Sequence, residues 1–247
     1  MTLSEFFHEN PKVALAFSGG VDSAYLLYAA MKYAKQVRAY YVKSVFQPQF
    51  ELDDAKKLAE LLNADMKIIY ADVLSDENIR CNPSDRCYYC KNKIFKSILE
   101  EARGDGFTAI IDGTNASDDS GDRPGMRALK EMKVMSPLRL CGLNKDEIRH
   151  LSKEAKLFTH DKPAYACLAT RIPTGTAISE EILKKTEICE GELFSMGYTD
   201  FRIRSMGDSA RLQVKESQME KLINERKEVI DLLKPYYKNI LLDLEAR

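Results

Sequence analysis

The sequence has almost no net charge. Its 247 residues include 37 Lys and Arg against 38 Asp and Glu, for a formal charge of −1. A chain without a bulk electrostatic field has no general attraction for nucleic acid or for an anionic membrane. It also lacks an apolar run near the ~20 residues of a membrane span, and residues 1–10 lack the basic and apolar regions of a secretory signal. We therefore expect a cytoplasmic protein with no membrane partner and no nucleic-acid partner.

Cysteine and histidine are both scarce. Six Cys are too few to build a fold on disulfides, so in a reducing compartment they serve as core residues, metal ligands or nucleophiles. The three His stand alone, without metal-ligand spacing, and we assign them no function. The hydrophobic fraction of 45% is enough for a sizeable core. The spacing of the cysteines therefore matters more than their number.

Apolar periodicity alternates between strand and helix through the first part of the chain. The predicted elements are strands at 12–17, 37–42, 67–71 and 108–112, helices at 24–33, 52–62 and 91–102, a loop at 115–125, and helices near 127–133 and 145–155. Such alternation predicts an α/β fold whose parallel sheet has crossover helices on both faces. Asn144 is predicted to cap the last of these helices, with Glu147 as its capping-box partner.

The periodicity stops around residues 163–175, where Pro163, Pro173 and Gly175 interrupt the chain. We place the domain boundary there, which gives a larger domain at 1–173 and a small C-terminal α+β domain at 174–247. The predicted elements of the second domain are helices at 179–195 and 217–233 and strands at 200–204, 210–214 and 240–244. Its expected role is substrate binding or oligomerisation.

A loop rich in glycine and serine joins the first predicted strand to the first helix: Phe17-Ser-Gly-Gly-Val-Asp-Ser23. Backbone N–H groups and the helix dipole favour an anion at such a position, and the glycines let phosphate oxygens approach the backbone. Ser18 and Ser23 add hydroxyl donors, and Asp22 can hold Mg²⁺ or orient the loop. The loop is neither a Walker A loop nor a dinucleotide fingerprint. A plain Gly-Gly turn with a helix cap is the alternative.

Four of the six cysteines are candidates for metal binding or nucleophilic catalysis. Cys87 and Cys90 have the two-residue spacing that lets two thiolates reach one metal, and the alternative is a pair of half-buried thiols at a helix start. Zinc held by Cys81, Cys87, Cys90 and a fourth ligand is one metal option, and an iron–sulfur cluster held by Cys87, Cys90 and Cys167 is another. Cys167 is also the leading nucleophile candidate, because small residues flank it and Arg171 follows four positions later. The remaining pair, Cys141 and Cys189, is predicted to be buried and inert.

The loop at 18–23 resembles the PP-loop of the N-type ATP pyrophosphatases, which cleave ATP between the α and β phosphates. A longer ordered set of segments resembles the LarE-type ATP-dependent sulfur transferases. The segments are Arg86-Cys-Tyr-Tyr-Cys-Lys91, Asp112-Gly-Thr-Asn-Ala-Ser-Asp118, Arg123-Pro-Gly125, Ser136-Pro-Leu138, Asn144-Lys-Asp-Glu-Ile-Arg149, Lys162-Pro-Ala164 and Ala166-Cys-Leu-Ala-Thr-Arg-Ile-Pro173. The resemblance runs from Val13 to about Val214.

The resemblance implies an enzyme that adenylates the carboxylates of pyridinium-3,5-biscarboxylic acid mononucleotide and converts them to thiocarboxylates, in the biosynthesis of the nickel-pincer nucleotide cofactor of lactate racemase. The implied cofactors are ATP, Mg²⁺ and a [4Fe-4S] cluster, with zinc or no metal as alternatives. Sulfur would come from cluster-bound sulfide or, sacrificially, from Cys167. A sulfide or sulfur donor and a homo-oligomer, such as a hexamer, are the implied partners. A tRNA thiolase and an ATP-binding module without catalysis are the competing hypotheses.

The resemblance also assigns residues. Ser18, Gly19, Gly20, Asp22, Ser23, Ser44, Gly113 and Asn115 are expected to bind the nucleotide, and Cys87, Cys90 and Cys167 the metal. The expected catalytic residues are Cys167, Asp22 and Lys91. An anionic substrate needs cations, and the expected substrate-binding residues are Arg171, Arg202, Arg204 and Glu190, with Arg211 nearby in sequence. For Glu190, a solvated helix face is the alternative explanation.

Overall fold

The computed structural model describes residues 1–118 and 124–247. Its elements up to residue 140 are α1 (Leu3–Glu9), β1 (Lys12–Ala16), α2 (Val21–Tyr33), β2 (Gln36–Lys43), α3 (Gln49–Leu61), β3 (Met66–Tyr70), α4 (Glu77–Arg80), α5 (Arg86–Gly104), β4 (Ala109–Asp112), α6 (Pro124–Glu131) and α7 (Pro137–Leu140). The later elements are α8 (Lys145–Glu154), a 3₁₀ turn (Leu168–Arg171), α9 (Glu180–Ser195), β5 (Arg202–Met206), β6 (Ser209–Gln213), α10 (Glu216–Asn224), α11 (Arg226–Leu233) and β7 (Asn239–Leu242). None of the described helices is long and apolar enough to cross a membrane.

The described residues form two compact units. The first comprises Met1–Val73 and Asp85–Lys162, and the second comprises Leu74–Ser84 and Pro163–Arg247. Backbone hydrogen bonds tie residues 74–84 into the second unit: the N–H of Gly175 donates to the carbonyl of Asn82 and that of Ile178 to the carbonyl of Arg80, both at 2.8 Å. The assignment of domains to 1–173 and 174–247 stays a prediction.

The first unit is built on a parallel sheet with the strand order β3-β2-β1-β4. Val13 of β1 is in register with Val37 of β2 on one side and with Ala109 of β4 on the other. The chain adds β2 and β3 on one side of β1 and then crosses to add β4 on the other side. The strand order therefore reverses at the end of β1. Open α/β sheets bind ligands in the crevice at such a reversal.

Alternate residues of the strands pack on opposite faces of this sheet. On one face, Val13 and Leu15 pack in a cluster with residues of α1, α2 and α8. On the other face, Ala14 and Tyr40 pack in a cluster with residues of α5 and α6. Both faces of the sheet are therefore covered, and the predicted α/β architecture with helices on both faces is confirmed.

The second unit has a small mixed sheet with the order β5-β6-β7. β5 and β6 are antiparallel, and β6 and β7 are parallel. Leu193 of α9 and Leu233 of α11 pack in one cluster with Ile203 and Leu212 of this sheet. The expectation of a small α+β module at the C-terminal end is confirmed.

Three local predictions were incomplete or wrong. A single helix was expected at 217–233, but the helix breaks at Glu225, which ends α10 and precedes α11. Helix α1 was not predicted, although Thr2 and Glu5 form a capping box at its start. The predicted loop at 115–125 is too long, because α6 begins at Pro124. Residues 119–123, including Arg123 of the resemblance motifs, lie outside the described residues.

Candidate functional site: a phosphate loop and a cysteine segment

The loop after β1 leads into the first turn of α2, at the end of the sheet where the crevice is expected. Gly20 is the N-cap of α2 and makes no side-chain cap bond, so the first N–H groups of a 13-residue helix are available to an anion. Gly19 has φ +75°, a left-handed conformation that favours glycine. A Cβ at Gly19 would lie 3.3 Å from the Cβ of Ala55 on α3. The loop therefore follows a path that larger residues would strain.

Two serine hydroxyls hold the loop closed on itself. The Oγ atoms of Ser18 and Ser23 lie 3.0 Å apart, and Ser23 Oγ also donates to the carbonyl of Gly20 at 3.2 Å. The backbone N–H of Ser18 donates to Ser23 Oγ at 3.3 Å. These bonds hold residues 18–23 closed on themselves, and we call this segment the phosphate loop after the ligand that the sequence predicts for it.

The segment after β4 packs directly on this loop. A Cβ placed on Gly113 would lie 2.9 Å from the backbone nitrogen of Ser23 and 3.1 Å from its Cα. Glycine is therefore required at residue 113 by close approach to the first turn of α2. The strand end beside it is fixed by Asp112, which is buried and accepts hydrogen bonds from Thr114 Oγ1 at 2.6 Å and Ser136 Oγ at 2.7 Å.

Ser44 and Asn115 are buried at the ends of the two strands that flank β1. Ser44 Oγ donates to Gln47 Oε1 at 2.7 Å. Asn115 Oδ1 accepts from the N–H groups of Ser117 and Asp118, at 2.8 and 3.2 Å. The structure therefore places every predicted nucleotide-binding residue after the carboxyl end of β1, β2 or β4, either in the loop that follows the strand or in the first turn of α2. Whether each contacts nucleotide stays a prediction.

Asp22 has one bonded and one unbonded carboxylate oxygen. Its Oδ2 accepts from Lys145 Nζ at 2.5 Å, and its Oδ1 is buried without a hydrogen-bond partner among the described residues. A buried carboxylate oxygen without a partner is costly, and oxygen is the ligand type that Mg²⁺ prefers. The residues present therefore fit an ATP–Mg²⁺ site, with Asp22 as the metal-facing group.

Sequence reasoning gave Lys145 no role, although the lysine lies inside the motif at 144–149. The predicted capping box of α8 is confirmed, since Asn144 Oδ1 accepts from the N–H of Glu147 at 3.0 Å and Glu147 Oε2 accepts from the N–H of Asn144 at 2.8 Å. The capping box fixes where α8 begins, and so it fixes the position of Lys145, the residue that follows the N-cap. A lysine directly after a predicted N-cap is the feature of the sequence that could have identified Lys145 as a candidate.

In the first unit, Cys87 and Cys90 lie in the first two turns of α5. Cys87 is exposed and Cys90 is half-buried. Lys91, the next residue, is half-buried, and its Cδ lies 3.1 Å from the position that a Cβ on Gly125 would take. No group of three or more His, Cys, Asp or Glu side chains within residues 1–118 and 124–247 is arranged to hold a metal ion. Metal binding by Cys87, Cys90 and Cys167 therefore stays a prediction.

In the second unit, Cys167 precedes the 3₁₀ turn that ends at Arg171, and it is half-buried. Arg171 is almost fully buried at 1% exposure, as is Glu190 on α9. Arg171 Nε and NH2 donate to the two oxygens of Glu190 at 2.8 and 2.9 Å, and NH1 donates to the carbonyl of Ala166 at 2.9 Å. Burial alone lowers the pKa of Arg171, but the bonds to Glu190 outweigh it and raise the pKa.

Glu190 is the centre of this network. Besides Arg171, it accepts from the backbone N–H of Ile203 at 2.9 Å and from the hydroxyl of Tyr165. The alternative of a solvated helix face for Glu190 is therefore wrong, because the pairing with Arg171 lies in tertiary structure that helical spacing does not show. The network braces the backbone on both sides of Cys167 against α9 and β5.

Arg202 and Arg204 lie on β5. Arg204 Nε donates to Gln213 Oε1 at 2.7 Å, and its NH1 donates to the carbonyl of Thr170. Arg202 is half-buried. Burial, together with the charges of Arg247 and Arg171, lowers the pKa of Arg202 to about 10. A desolvated guanidinium beside other cations is typical of an anion site.

The other cysteines differ from one another. Cys189 is fully buried, as expected, and burial raises its pKa to about 12. Cys141 is only half-buried, and burial raises its pKa as well. Cys81 is exposed, and its thiol donates to Glu77 Oε1 at 3.0 Å, an interaction that raises its pKa. Raised pKa values disfavour the reactive thiolate in all three.

Comparison with known proteins identifies related sequences that cover most of this chain. Residues 9–190 match the model of the ThiI family, described as thiamine biosynthesis protein. An uncharacterized protein of Synechocystis sp. is 32% identical over 90% of this chain and 84% of its own length. An uncharacterized protein of Methanocaldococcus jannaschii is 31% identical over 96% and 91%. The pyridinium-3,5-bisthiocarboxylic acid mononucleotide synthase of Lactiplantibacillus plantarum is 30% identical over 88% and 80%.

Proposed function

Because the chain belongs to the ThiI family of PP-loop proteins, we propose that it is an ATP-dependent sulfur transferase that converts the carboxylates of pyridinium-3,5-biscarboxylic acid mononucleotide to thiocarboxylates. The name of the L. plantarum relative supports this substrate. The observation that carries the proposal is the phosphate loop at the point where the strand order reverses, on which Gly113 packs so closely that a Cβ at that residue would lie 2.9 Å from Ser23 N. The N–H groups at the start of α2 would stabilise the negative charge of pyrophosphate as it leaves the nucleotide.

The first proposed step activates the acid. A substrate carboxylate oxygen attacks the α phosphate of ATP, the bond to the β phosphate breaks, and pyrophosphate leaves as an acyl-adenylate forms. The N–H groups at the start of α2 and the hydroxyls of Ser18 and Ser23 stabilise the charge on the departing pyrophosphate. Mg²⁺, when bound at Asp22, neutralises further phosphate charge. Activation is needed because a free carboxylate repels an anionic nucleophile and oxide is a poor leaving group.

The second proposed step transfers sulfur. A sulfur nucleophile attacks the activated carbonyl carbon and AMP leaves, carrying away the former carboxylate oxygen. We propose Cys167 as the thiol in this step and Cys87 and Cys90 as thiols that hold sulfur or metal with it. A [4Fe-4S] cluster, when bound at these cysteines, would supply exchangeable sulfide. If the Cys167 thiol is consumed instead, a base removes the Cα proton after thioester formation, the Cβ–S bond breaks, and the products are dehydroalanine and the thiocarboxylate.

Anionic groups of the substrate need cations that are not already neutralised. Arg202 fits this role best, because it is half-buried and burial together with the charges of Arg247 and Arg171 disfavours its cationic form until an anion binds. Arg204 contributes positive charge from the same strand. Arg171 and Glu190 neutralise each other, so we propose that they position the Cys167 segment and do not contact substrate. Lys91, beside Cys90, is proposed to stabilise charge at the reacting carboxylate.

The predictions of a cytoplasmic location and of a homo-oligomer stay predictions. The domain boundary at 173/174 and the role of the C-terminal domain in substrate binding or oligomerisation also stay so.

The test is anaerobic turnover of ATP with the pyridinium dicarboxylate mononucleotide. We expect AMP and pyrophosphate in a ratio of one to one, dependent on the dicarboxylate, and a thiocarboxylate product. Intact-protein mass then distinguishes the sulfur sources, since a sacrificial Cys167 leaves the protein lighter by one sulfur. An intact mass with bound iron and acid-labile sulfide supports the cluster. Formation of neither AMP nor thiocarboxylate would contradict the proposal, and thiolation of tRNA instead would favour the thiolase.

A further inference from the structure

Cys167 belongs to a short turn that local contacts hold together. Cys167 is the N-cap of the 3₁₀ turn at 168–171, and its carbonyl accepts from the N–H and the Oγ1 of Thr170, both at 2.9 Å. Leu168 and Ala169 are fully buried. Ile172 is the C-cap, and its N–H donates to the carbonyl of Ala169. We call residues 167–172 the Cys167 turn, and whatever fixes its end also fixes the position of the thiol.

Asn82, in the same compact unit, has an uncommon backbone conformation. Its φ is +54°, in the left-handed region, and it directly follows Cys81, the C-cap of α4. The other described residues that carry a side chain in this conformation are exposed or half-buried, whereas Asn82 is 1% exposed. Asparagine tolerates the left-handed region better than most residues, but its buried amide needs partners. The position therefore requires both a permissive backbone and a side chain that is hydrogen-bonded.

The amide of Asn82 finds its partners at the end of the Cys167 turn. Its Nδ2 donates to the carbonyl of Pro173 at 2.8 Å and to that of Ile172 at 3.4 Å. The backbone carbonyl of Asn82 accepts from the N–H of Gly175 at 2.8 Å. One residue of the segment 74–84 therefore binds the chain at residues 172, 173 and 175.

No comparable support acts on this end of the turn from burial. Residues 173–177 are exposed, so apolar packing does not hold them in place. Arg171 NH1 and Arg204 NH1 also brace the turn, but their acceptors are the carbonyls of Ala166 and Thr170, before residue 171. The hydrogen bonds of Asn82 act after residue 171. Without them, the exposed loop could shift and take the end of the Cys167 turn with it.

We propose that Asn82 is a positioning residue for the Cys167 thiol, which its amide holds in place for the sulfur-transfer step. Asn82 itself contacts neither nucleotide nor substrate in this step. The inference rests on the proposed function, because it uses Cys167 as the thiol that meets the acyl-adenylate. Loss of the amide would leave adenylation intact and slow the attack of sulfur. Water would then attack the acyl-adenylate, and the carboxylate and AMP would form without thiocarboxylate.

The ratio of thiocarboxylate to AMP tests this inference. It is measured anaerobically for the wild-type protein and for Asn82→Ala, Asn82→Gly and Asn63→Ala. Asn63 is the matched control, because it also has a left-handed φ of 49° and directly follows a helix C-cap, Leu62 of α3, but is exposed. We expect the ratio to fall by about tenfold or more in both Asn82 variants, while AMP formation stays within about twofold of wild type. Asn63→Ala should leave the ratio unchanged.

The glycine variant separates the amide from the backbone conformation. Asn82→Gly adopts a positive φ without strain but removes the amide. It should recover part of the melting temperature that Asn82→Ala loses, yet keep the low ratio of thiocarboxylate to AMP. Hydrogen exchange of peptides from residues 168–178, measured on metal-free protein without substrate, should be faster by about tenfold in both Asn82 variants. Asn63→Ala should leave exchange in these peptides unchanged.

Four results would overturn the inference. These are an unchanged product ratio in the Asn82 variants, unchanged exchange at 168–178, an equal fall of AMP and thiocarboxylate, and recovery of the ratio in Asn82→Gly. The first three would show that the amide does not position the thiol, and the fourth that only the backbone conformation matters. If the wild-type protein forms no thiocarboxylate, the proposed function fails, and the role of Asn82 in sulfur transfer falls with it.

Discussion

The close approach of Gly113 to Ser23 makes a quantitative prediction for Gly113→Ala. The added Cβ would lie 2.9 Å from Ser23 N, 3.1 Å from Ser23 Cα and 3.2 Å from Ser23 Cβ. Ordinary contacts begin near ~3.5 Å, so the first turn of α2 must move by about half an ångström. Two of these neighbours are backbone atoms, which cannot rotate away. We therefore expect a loss of stability of about 1–3 kcal/mol.

The same displacement moves the hydroxyl of Ser23, which closes the phosphate loop on Ser18 and Gly20. We expect ATP affinity to fall by about tenfold in Gly113→Ala, and the melting temperature to fall by roughly 2–12 °C. Calorimetric binding and thermal unfolding measure the two effects. Gly104→Ala is the matched control, because Gly104 ends α5 in the same unit and a Cβ placed on it would meet no described atom within 4 Å. The reasoning is refuted if Gly113→Ala behaves like Gly104→Ala in both assays.

Three further predictions concern charge and thiol chemistry. Glu190→Ala, which leaves Arg171 buried without its partner, should cost about 3–5 kcal/mol in urea unfolding. The double variant with Arg171→Met should lose less than the sum of the two single variants, and strict additivity would contradict the buried pair. Asp105 accepts from Lys67 and Tyr40, at 3.0 and 2.9 Å, and also pairs with Arg38, so its pKa is lowered to about 2. Its contribution to stability is complete above the unfolded pKa near ~3.9 and is lost as the pH falls toward about 2, so Asp105→Asn should flatten the acid limb of the stability profile. An unchanged limb would count against this assignment. In metal-free, reduced protein, iodoacetamide should modify exposed Cys81 and Cys87 before unfolding and Cys189 only after it, and equal rates by peptide mass spectrometry would show that the buried thiol is accessible.

The sequence was most informative where local patterns determine the structure. Alternating apolar runs predicted β1 to β4 and their crossover helices, because β1, β2 and β4 contain runs of consecutive buried residues and the helices pack on the sheet. The position of the glycine-rich loop between β1 and α2 followed from the same reasoning, and its binding of phosphate stays a prediction. The break at Glu225 was missed because neither glycine nor proline marks it.

The pairings that complete the candidate site depend on tertiary structure. Lys145 and Asp22 are 123 residues apart, and Arg171 and Glu190 are 19 residues apart. Each side chain alone resembles an ordinary surface charge. Only the fold shows that Glu190 is buried and that one oxygen of Asp22 lacks a partner within the described part of the chain. Residue type and spacing therefore predicted which segments matter but not which charges are already neutralised.

The most direct test of the account follows the oxygen atoms of the substrate. The pyridinium dicarboxylate mononucleotide is labelled with ¹⁸O in its carboxylates and incubated anaerobically with ATP and the protein. If the carboxylate is adenylated and then attacked by sulfur, each thiocarboxylate formed transfers one ¹⁸O to the phosphate of AMP. Formation of thiocarboxylate with unlabelled AMP would contradict the central claim that this protein activates an acid by adenylation.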